Sequence, residues 1–345
     1  MKRSSTSVGL TIAVVAAASF GLSGAFIKPL LESGWSPGAA VTVRALTGGV
    51  LLAPMAVYSL RGNWSALWRG RWRVLGMALI GVAGCQLVYF AAIQRIPVGT
   101  AILIEYMAPL LLVAVVWART RRVPKSVVLI GSVVALFGLV LVVSPSGANS
   151  FDVLGLVFAL AAMVGCAVYY VVAARPSDGL PSVALAAFGL LIGGLALGLA
   201  GLLGAVPFTA RFGGVRLFSE SVPWWVPLLV AGVAATAIAY ATSIAATGML
   251  GSRLASFAGL LEVLFATFYA WLLLGEKLTI LQFLGGALIL AGIAFVRSEK
   301  TDAQLEPVPL DQSGSSVILL HPSVDAHGKY QLGFGIFRPH ETRLD

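Results

Sequence analysis

The chain has 345 residues, 59% of them hydrophobic and 11% charged, with a net charge of +9 and a mean hydropathy of +0.94. Soluble domains carry roughly a quarter charged residues, so this composition excludes a soluble α/β enzyme and points to a membrane protein. All three histidines (His321, His327, His340) and seven of the fourteen acids lie in the last 49 residues. The hydrophobic body therefore has no histidine for a metal site or catalytic triad. Cys85 and Cys166 sit in apolar runs without metal-knuckle spacing and read as small packing residues, so no metal or cofactor is expected.

A spanning helix needs about 20 mostly apolar residues bounded by charges, Pro or Gly. Ten runs meet that requirement, near 8–27, 38–58, 74–94, 98–118, 126–143, 153–174, 182–206, 223–247, 252–274 and 278–296. Single helices satisfy their own backbone in lipid, and no alternating pattern argues for a barrel, which predicts an all-α polytopic membrane protein. The first run resembles a cleavable signal peptide, with Lys2 and Arg3 ahead of Val8 to Phe20 and small residues from Ser23 to Ala25. It continues to Ile27 and nine further runs follow, so it is read as an uncleaved first span.

Orientation follows from Lys and Arg in short loops. With residues 1–7 inside, the cytoplasmic segments hold fourteen, among them Arg61, Arg69, Arg71, Arg73, Arg119, Arg121, Arg122, Lys125, Arg175 and Arg253. The outer segments hold five: Lys28, Arg95, Arg211, Arg216 and Lys277. Both termini are expected in the cytoplasm, at the plasma or inner membrane. The positive charge serves orientation and anionic lipid and calls for no nucleic-acid partner. The segment 297–345 is polar, carries four prolines and has no sustained period, so it reads as a disordered cytoplasmic tail with a short apolar patch at Val317 to Leu320.

A fixed offset of 154 residues brings Trp117 onto Trp271, Gly131 onto Gly285 and Gly138 onto Gly292. The chain thus divides into repeats at 8–145 and 153–296. Five spans per repeat is an odd number, so the second copy enters the membrane from the opposite side. Ten transmembrane helices arranged as two inverted five-helix repeats is the plan of secondary transporters, with the substrate site near the midplane between the repeats.

The stretch from Leu260 to Val296 resembles the last two helices of the EamA repeat of the drug/metabolite transporter superfamily. Glu262 matches the family's Glu in a Glu-Pro step whose Pro is Val263 here; Trp271, Gly275 and Glu276 match the rest. The first helix resembles the family's Trp-Gly pattern with a later Lys, with Phe20 in place of Trp and then Gly21 and Lys28. Arg44 matches the family's Arg in a second helix opened by Pro37. The resemblance runs from about residue 8 to 296. It implies an exporter or exchanger of small metabolites or drugs and names no substrate.

Arg44, Glu105 and Glu262 are the ionisable side chains well inside the predicted spans. A charge at the centre of a lone helix costs at least about 2.5 to 3.5 kcal/mol, so each should face a cavity or a partner. The mate of Glu105 is Gly259, three residues from Glu262, so the two carboxylates are expected to approach one another across the repeats. Two carboxylates and one arginine cannot all be comfortable when ionised, and a carboxyl that exchanges its proton is what a coupling site needs. Glu262 is assigned as the proton or substrate-amine site, Glu105 as its partner, and Arg44 as anchor for a substrate carboxylate or as a structural ion-pair partner of one glutamate. Gln86 and Tyr240 are repeat mates and join Tyr89, Gln94 and Tyr106 as hydrogen-bonding groups at membrane depth. Lys28 is a candidate near a helix end, from which it can snorkel to the interface.

Gly189, Gly193, Gly194 and Gly198 form small-xxx-small pairs that permit close helix approach, within the repeats or in a homodimer. The body has no cluster for metal or nucleophile chemistry and no Gly-x-x-x-x-Gly-Lys-Ser/Thr loop, which argues against an enzyme and a primary pump. The expectation is a secondary exporter of a small molecule, with protons as coupling ion. An ion-independent facilitator or exchanger, and a lipid-handling or structural protein, are its rivals.

Overall fold

The computed structural model describes residues 2–121, 123–143, 152–173, 179–217, 220–277, 279–298, 318–324 and 330–336. Of the residues counted for orientation, Arg122, Arg175 and Lys300 lie outside these. The chain divides into the units Met1–Glu299 and Lys300–Asp345. The second contains two antiparallel strands, Ile318–Val324 and Tyr330–Ile336, paired from Ile318 opposite Ile336 to Val324 opposite Tyr330. A tail read as disordered therefore contains a hairpin among its described residues. Its second strand alternates apolar Tyr330, Leu332, Phe334 and Ile336 with Gln331, Gly333 and Gly335, a period of two too short to register in the sequence reading.

The first unit is helical. Its helices are α1 (Lys2–Glu32), α2 (Pro37–Ser59), α3 (Arg71–Ile93), α4 (Val98–Thr120), α5 (Ser126–Val143), α6 (Val153–Ala173), α7 (Ser182–Leu202), α8 (Trp225–Leu250), α9 (Leu261–Leu274) and α10 (Ile280–Ser298). Seven are long and apolar enough to cross a membrane; α5, α9 and α10 are shorter apolar helices. The chain is a multi-pass membrane protein. Local chemistry sets several boundaries. Ser36 caps α2 by accepting from the Ala39 amide at 3.3 Å, and Pro37 supplies the first-turn φ. At the far end of α9, Gly275 takes φ +66 and the Glu276 amide reaches back to the Ala270 carbonyl at 3.2 Å. The mate of Gly275 is Arg121, which ends α4 with φ +54 in the same left-handed region.

Repeat mates pack as an inverted pair. Gly138 of α5 faces the Gly285 carbonyl of α10, and Gly292 faces the Gly131 carbonyl, each too close to admit a Cβ. The register rises on one helix as it falls on the other, so these mates run antiparallel. The mates α2 and α7 do the same, with Thr42 beside Gly198, Leu46 beside Gly194 and Leu191 beside Gly49. Both small-xxx-small pairs of α7 are thus occupied within the chain: Gly194 and Gly198 by α2, Gly189 and Gly193 by Met77, Ala78 and Val82 of α3. The core runs between the repeats, with Phe90, Ile93 and Ile104 of the first and Val263, Ile289 and Ile293 of the second in one buried cluster.

Two departures from ideal helix recur at the 154-residue offset. Residues Met77–Gly84 of α3 and Val230–Ile238 of α8 are wound as π-helix, a wider turn found often at functional sites. The fourth helix is also broken in both copies. Pro109 has no amide to donate to the Glu105 carbonyl, and α4 interrupts at Tyr106–Met107. In the second copy the break falls at the mate of Tyr106, Leu260, although Val263 stands where the proline would be.

The span predicted at 252–274 is accordingly different. Helical bonding that begins at Ala239 continues to Gly259, and α9 starts at Leu261. Glu262 sits in the first turn of a short helix and not eleven residues into a long one. No proline lies between 248 and 259 to interrupt the helical bonds, whereas the first copy has Pro97 at the equivalent turn. The chain nevertheless doubles back here: along α1, Tyr240 lies against Phe20, Leu250 meets Gly9, and Phe265 and Ala266 return to Gly21.

Candidate functional site

A cavity of about 820 Å³ lies between the repeats. Its lining runs from Ala13, Arg73, Ser182 and Thr247, at the end of the bundle where α3 and α7 begin, inward to Arg44, Glu105 and Glu262. Gln86, Tyr89, Tyr106 and Tyr240 complete the polar wall, with Phe20, Tyr169 and Tyr170 beside them. Seven of the nine candidate residues therefore share one space. Lys28 does not line it, and Gln94 is exposed at the end of α3.

Each charged group is held by neutral partners. Arg44, 7% exposed, donates from Nε to Thr236 Oγ1 at 2.8 Å, from Nη1 to Gln86 Oε1 at 2.5 Å and from Nη2 to the Ala235 carbonyl at 3.3 Å. Its guanidinium also lies 5.6 Å from the centre of the Phe90 ring. The Ala235 carbonyl and the Thr236 hydroxyl belong to the π-helical turn of α8, where Thr236 in turn donates to the Ala231 carbonyl at 2.8 Å. Tyr106 Oη donates to Glu262 Oε2 at 2.5 Å, and Cys85 Sγ donates to Glu105 Oε1 at 3.4 Å. Among the described residues the ion pairs are Lys28–Glu276 and Arg95–Asp152. Arg44 is thus not locked to either glutamate. It uses three of its five N–H donors on neutral acceptors and keeps its charge for the cavity.

The two carboxylates are brought together by helix breaks. Glu105 is the last residue before the interruption of α4, and Glu262 follows the interruption at Leu260. A carboxylate in the first turn of a helix is favoured by the partial positive charge of its unpaired amides. Tyr106, next to Glu105 in sequence, reaches across the repeats to Glu262, while the Glu105 carboxylate accepts from Cys85.

The opposite end of the bundle is fastened. Lys28 Nζ stands 2.6 Å from Glu276 Oε1, each side chain about 15% exposed, and the Val98 amide donates to both Glu276 oxygens at 3.2 and 3.0 Å. This clasp ties the end of α1 and the start of α4 to the turn after α9, across the two repeats. Lys28 is therefore paired with Glu276 and does not line the cavity. Beside it, Trp35 stacks on Trp224 at 5.7 Å, packs edge-on to Phe212 at 6.0 Å and donates to the Arg211 carbonyl at 2.7 Å. The loop between α7 and α8 that carries these partners includes two short paired strands, Gly214–Leu217 and Glu220–Pro223.

Sequence reasoning missed Cys85, Tyr169, Tyr170 and Thr236. Cys85 and Cys166 were read as packing residues; both are buried as expected, and both line the cavity, Cys85 as a hydrogen-bond donor to Glu105. The signal for Cys85 was its place beside Gln86. Thr236 carries none in the sequence, because a π-turn leaves hydropathy unchanged.

An inverted helical repeat around a polar cavity defines a membrane protein with a transporter architecture. The model of the EamA-like transporter family matches residues 7–144 and 153–298. The chain belongs to that family, and so to the drug/metabolite transporter superfamily. It is 26% identical over 308 residues to the threonine/homoserine exporter RhtA of Escherichia coli K12, covering 88% of this chain and 96% of that one. It is 25% identical over 299 residues to the uncharacterized inner membrane transporter YicL of Salmonella typhimurium, covering 85% and 96%. An uncharacterized transporter of Archaeoglobus fulgidus is 27% identical over 205 residues, 59% of this chain and 69% of that one. One solved crystal structure superposes with a TM-score of 0.56 at 20% identity, covering 85% of this chain and 96% of that one, a likeness of fold. The protein is a transporter.

Proposed function

We propose that the chain exports small metabolites from the cytoplasm across the plasma or inner membrane by alternating access, with amino-acid-like zwitterions as first candidates and protons as the coupling ion. The observation that carries this reading is a single cavity in which Arg44 faces two carboxylates with no ion pair among them. Arg44, oriented by Thr236, Ala235 and Gln86, would anchor a substrate carboxylate through its remaining donors. Glu262 would take the substrate ammonium or, when the site is empty, a proton, with Tyr106 holding the carboxylate in place. Glu105 would share that role across the repeat boundary. Tyr240, packed edge-on against Phe20 at 5.1 Å, and Gln86 would shape the wall. The charge count supports a cytoplasmic Arg73 end, from which the cavity would load while the clasp would keep the outer end shut. The name of RhtA supports an amino-acid cargo without assigning one.

The test uses inverted vesicles loaded with a pH-sensitive dye under a proton gradient, screened with amino acids, nucleosides, sugars and cationic drugs. Collapse of the gradient by one class, absent in Glu262→Gln, is the expected result. Labelled solute that crosses without moving the gradient would establish ion-independent exchange and return Glu262 to a structural role.

A further inference from the structure

At the cavity-mouth end, α2 and α3 are joined by a tight elbow between Ser59 and Arg71, within which Ser65–Arg69 forms a short helix. Its packing is one-sided. Leu60 and Ala66 are fully buried, and Gly70 rests against Leu180, so the elbow is pinned to the bundle along one face. On the other face Trp64, Trp68 and Trp72, four residues apart, are 50%, 72% and 71% exposed, and Tyr58 is 68% exposed. Residues 58–73 contain four arginines and no acid.

The arginines are arranged on these rings. The Arg71 guanidinium lies 5.0 Å from the centre of the Trp68 ring and 5.7 Å from that of Trp72, and Arg61 lies 4.8 Å from Tyr58. Stacking engages the flat face of a guanidinium; Arg71 also donates from Nη1 to the Trp68 carbonyl at 3.1 Å, and its Nε and Nη2 donors remain for a phosphate. A soluble acidic partner would meet the same charge, but this elbow joins two membrane-crossing helices and stands where they leave hydrocarbon. That is the depth at which tryptophan rings settle and lipid phosphates lie. By contrast, at the clasped end Trp35 is buried and stacks its face on Trp224.

We propose that the exposed face of this elbow, Tyr58 to Trp72, is a docking surface for anionic phospholipid headgroups, with Arg61 and Arg71 holding the phosphate and Trp68 and Trp72 seated at the boundary between headgroups and acyl chains. The attraction of one such arginine is about 1 kcal/mol near an anionic surface, about fivefold in association.

The test reconstitutes the full chain in phosphatidylcholine bilayers and measures relative association of spin-labelled phosphatidylglycerol against spin-labelled phosphatidylcholine. The wild type is expected to prefer the anionic lipid, and Arg61→Gln/Arg71→Gln to lose at least fivefold of that preference at unchanged thermal stability. A control pair at another loop, Arg119→Gln/Lys125→Gln, is expected to lose much less. Equal loss in both pairs would show diffuse charge attraction and overturn the site, as would a wild type with no preference. Trp68→Phe/Trp72→Phe keeps ring faces for Arg71 and is expected to retain the preference; Trp68→Ala/Trp72→Ala is expected to reduce it. An unchanged preference in the alanine pair would remove the stacking from the proposal.

Discussion

The two ends of the helical bundle are built from repeat mates yet finished differently. At one end Lys28, Glu276 and the Val98 amide close on one another, and buried Trp35 packs against Trp224 and Phe212. At the other end the cavity reaches Arg73, Ser182 and Thr247, and the large rings of the elbow face outward. The sequence mate of Glu276 is Arg122, so the carboxylate of the clasp is not repeated in the sequence of the first copy. Helix geometry obeys the inverted repeat, while the side chains at the ends decide which side is shut.

The contrast is sharpest for tryptophan. Trp35→Ala removes a side chain 3% exposed and is expected to cost about 3 to 5 kcal/mol of stability, whereas Trp68→Ala should stay within about 0.5 kcal/mol. Denaturation in a fixed detergent would check both, and equal losses would erase the distinction between clasped end and elbow. Glu276→Ala takes the carboxylate from Lys28 and from the Val98 amide. For a mostly buried pair this should weaken the closed end by about 2 kcal/mol, raising hydrogen exchange at Val98 about 30-fold. Exchange that stays slow would mean the clasp does not hold that end.

A smaller effect is expected inside the cavity. Thr236→Val deletes the acceptor of Arg44 Nε and should weaken binding of a zwitterionic substrate by about 1 kcal/mol, while leaving its decarboxylated amine unaffected. Thr236→Ser should restore it; an equal loss for both ligands would separate Arg44 from carboxylate recognition. The smallest change concerns Asp152, just ahead of α6. Its Oδ1 accepts from the Gly155 amide at 2.8 Å and its Oδ2 from Arg95 at 3.2 Å, which together hold its carboxyl below the ordinary 3.8. A depressed folded-state value stabilises above the unfolded value and is lost as pH falls through the folded one. Wild-type melting temperature should therefore drop below about pH 4 more than that of Asp152→Asn. Parallel acid profiles would show that this bond contributes nothing.

Much of this architecture was legible in the sequence. The apolar runs, the Trp and Gly matches at one offset and the isolated charges Arg44, Glu105 and Glu262 each follow from the cost of polar groups in hydrocarbon, which composition reveals directly. What stayed hidden depends on partners. Lys28 reads as a candidate ligand until Glu276, 248 residues away, is seen beside it. The break at Leu260 has no proline to announce it, and the π-turns that aim Thr236 and precede Gln86 and Tyr240 differ from α-helix by hydrogen-bond spacing alone. Cys85 resembles any small core residue until Glu105 lies against it.

The contact between α5 and α10 has a further consequence. A surface that meets its own copy about a two-fold axis is how two identical subunits ordinarily join, each residue serving in two places at once. Here the partners are covalently linked and only quasi-identical, so the mates Ala135 and Ile289 differ. Small Ala135 lies under Gly292, while bulky Ile289 crosses Gly138. A self-associating ancestor would have had to fit both places with one residue. Joined in one chain, the two halves specialise, and the face that would otherwise recruit a second molecule is consumed within the first.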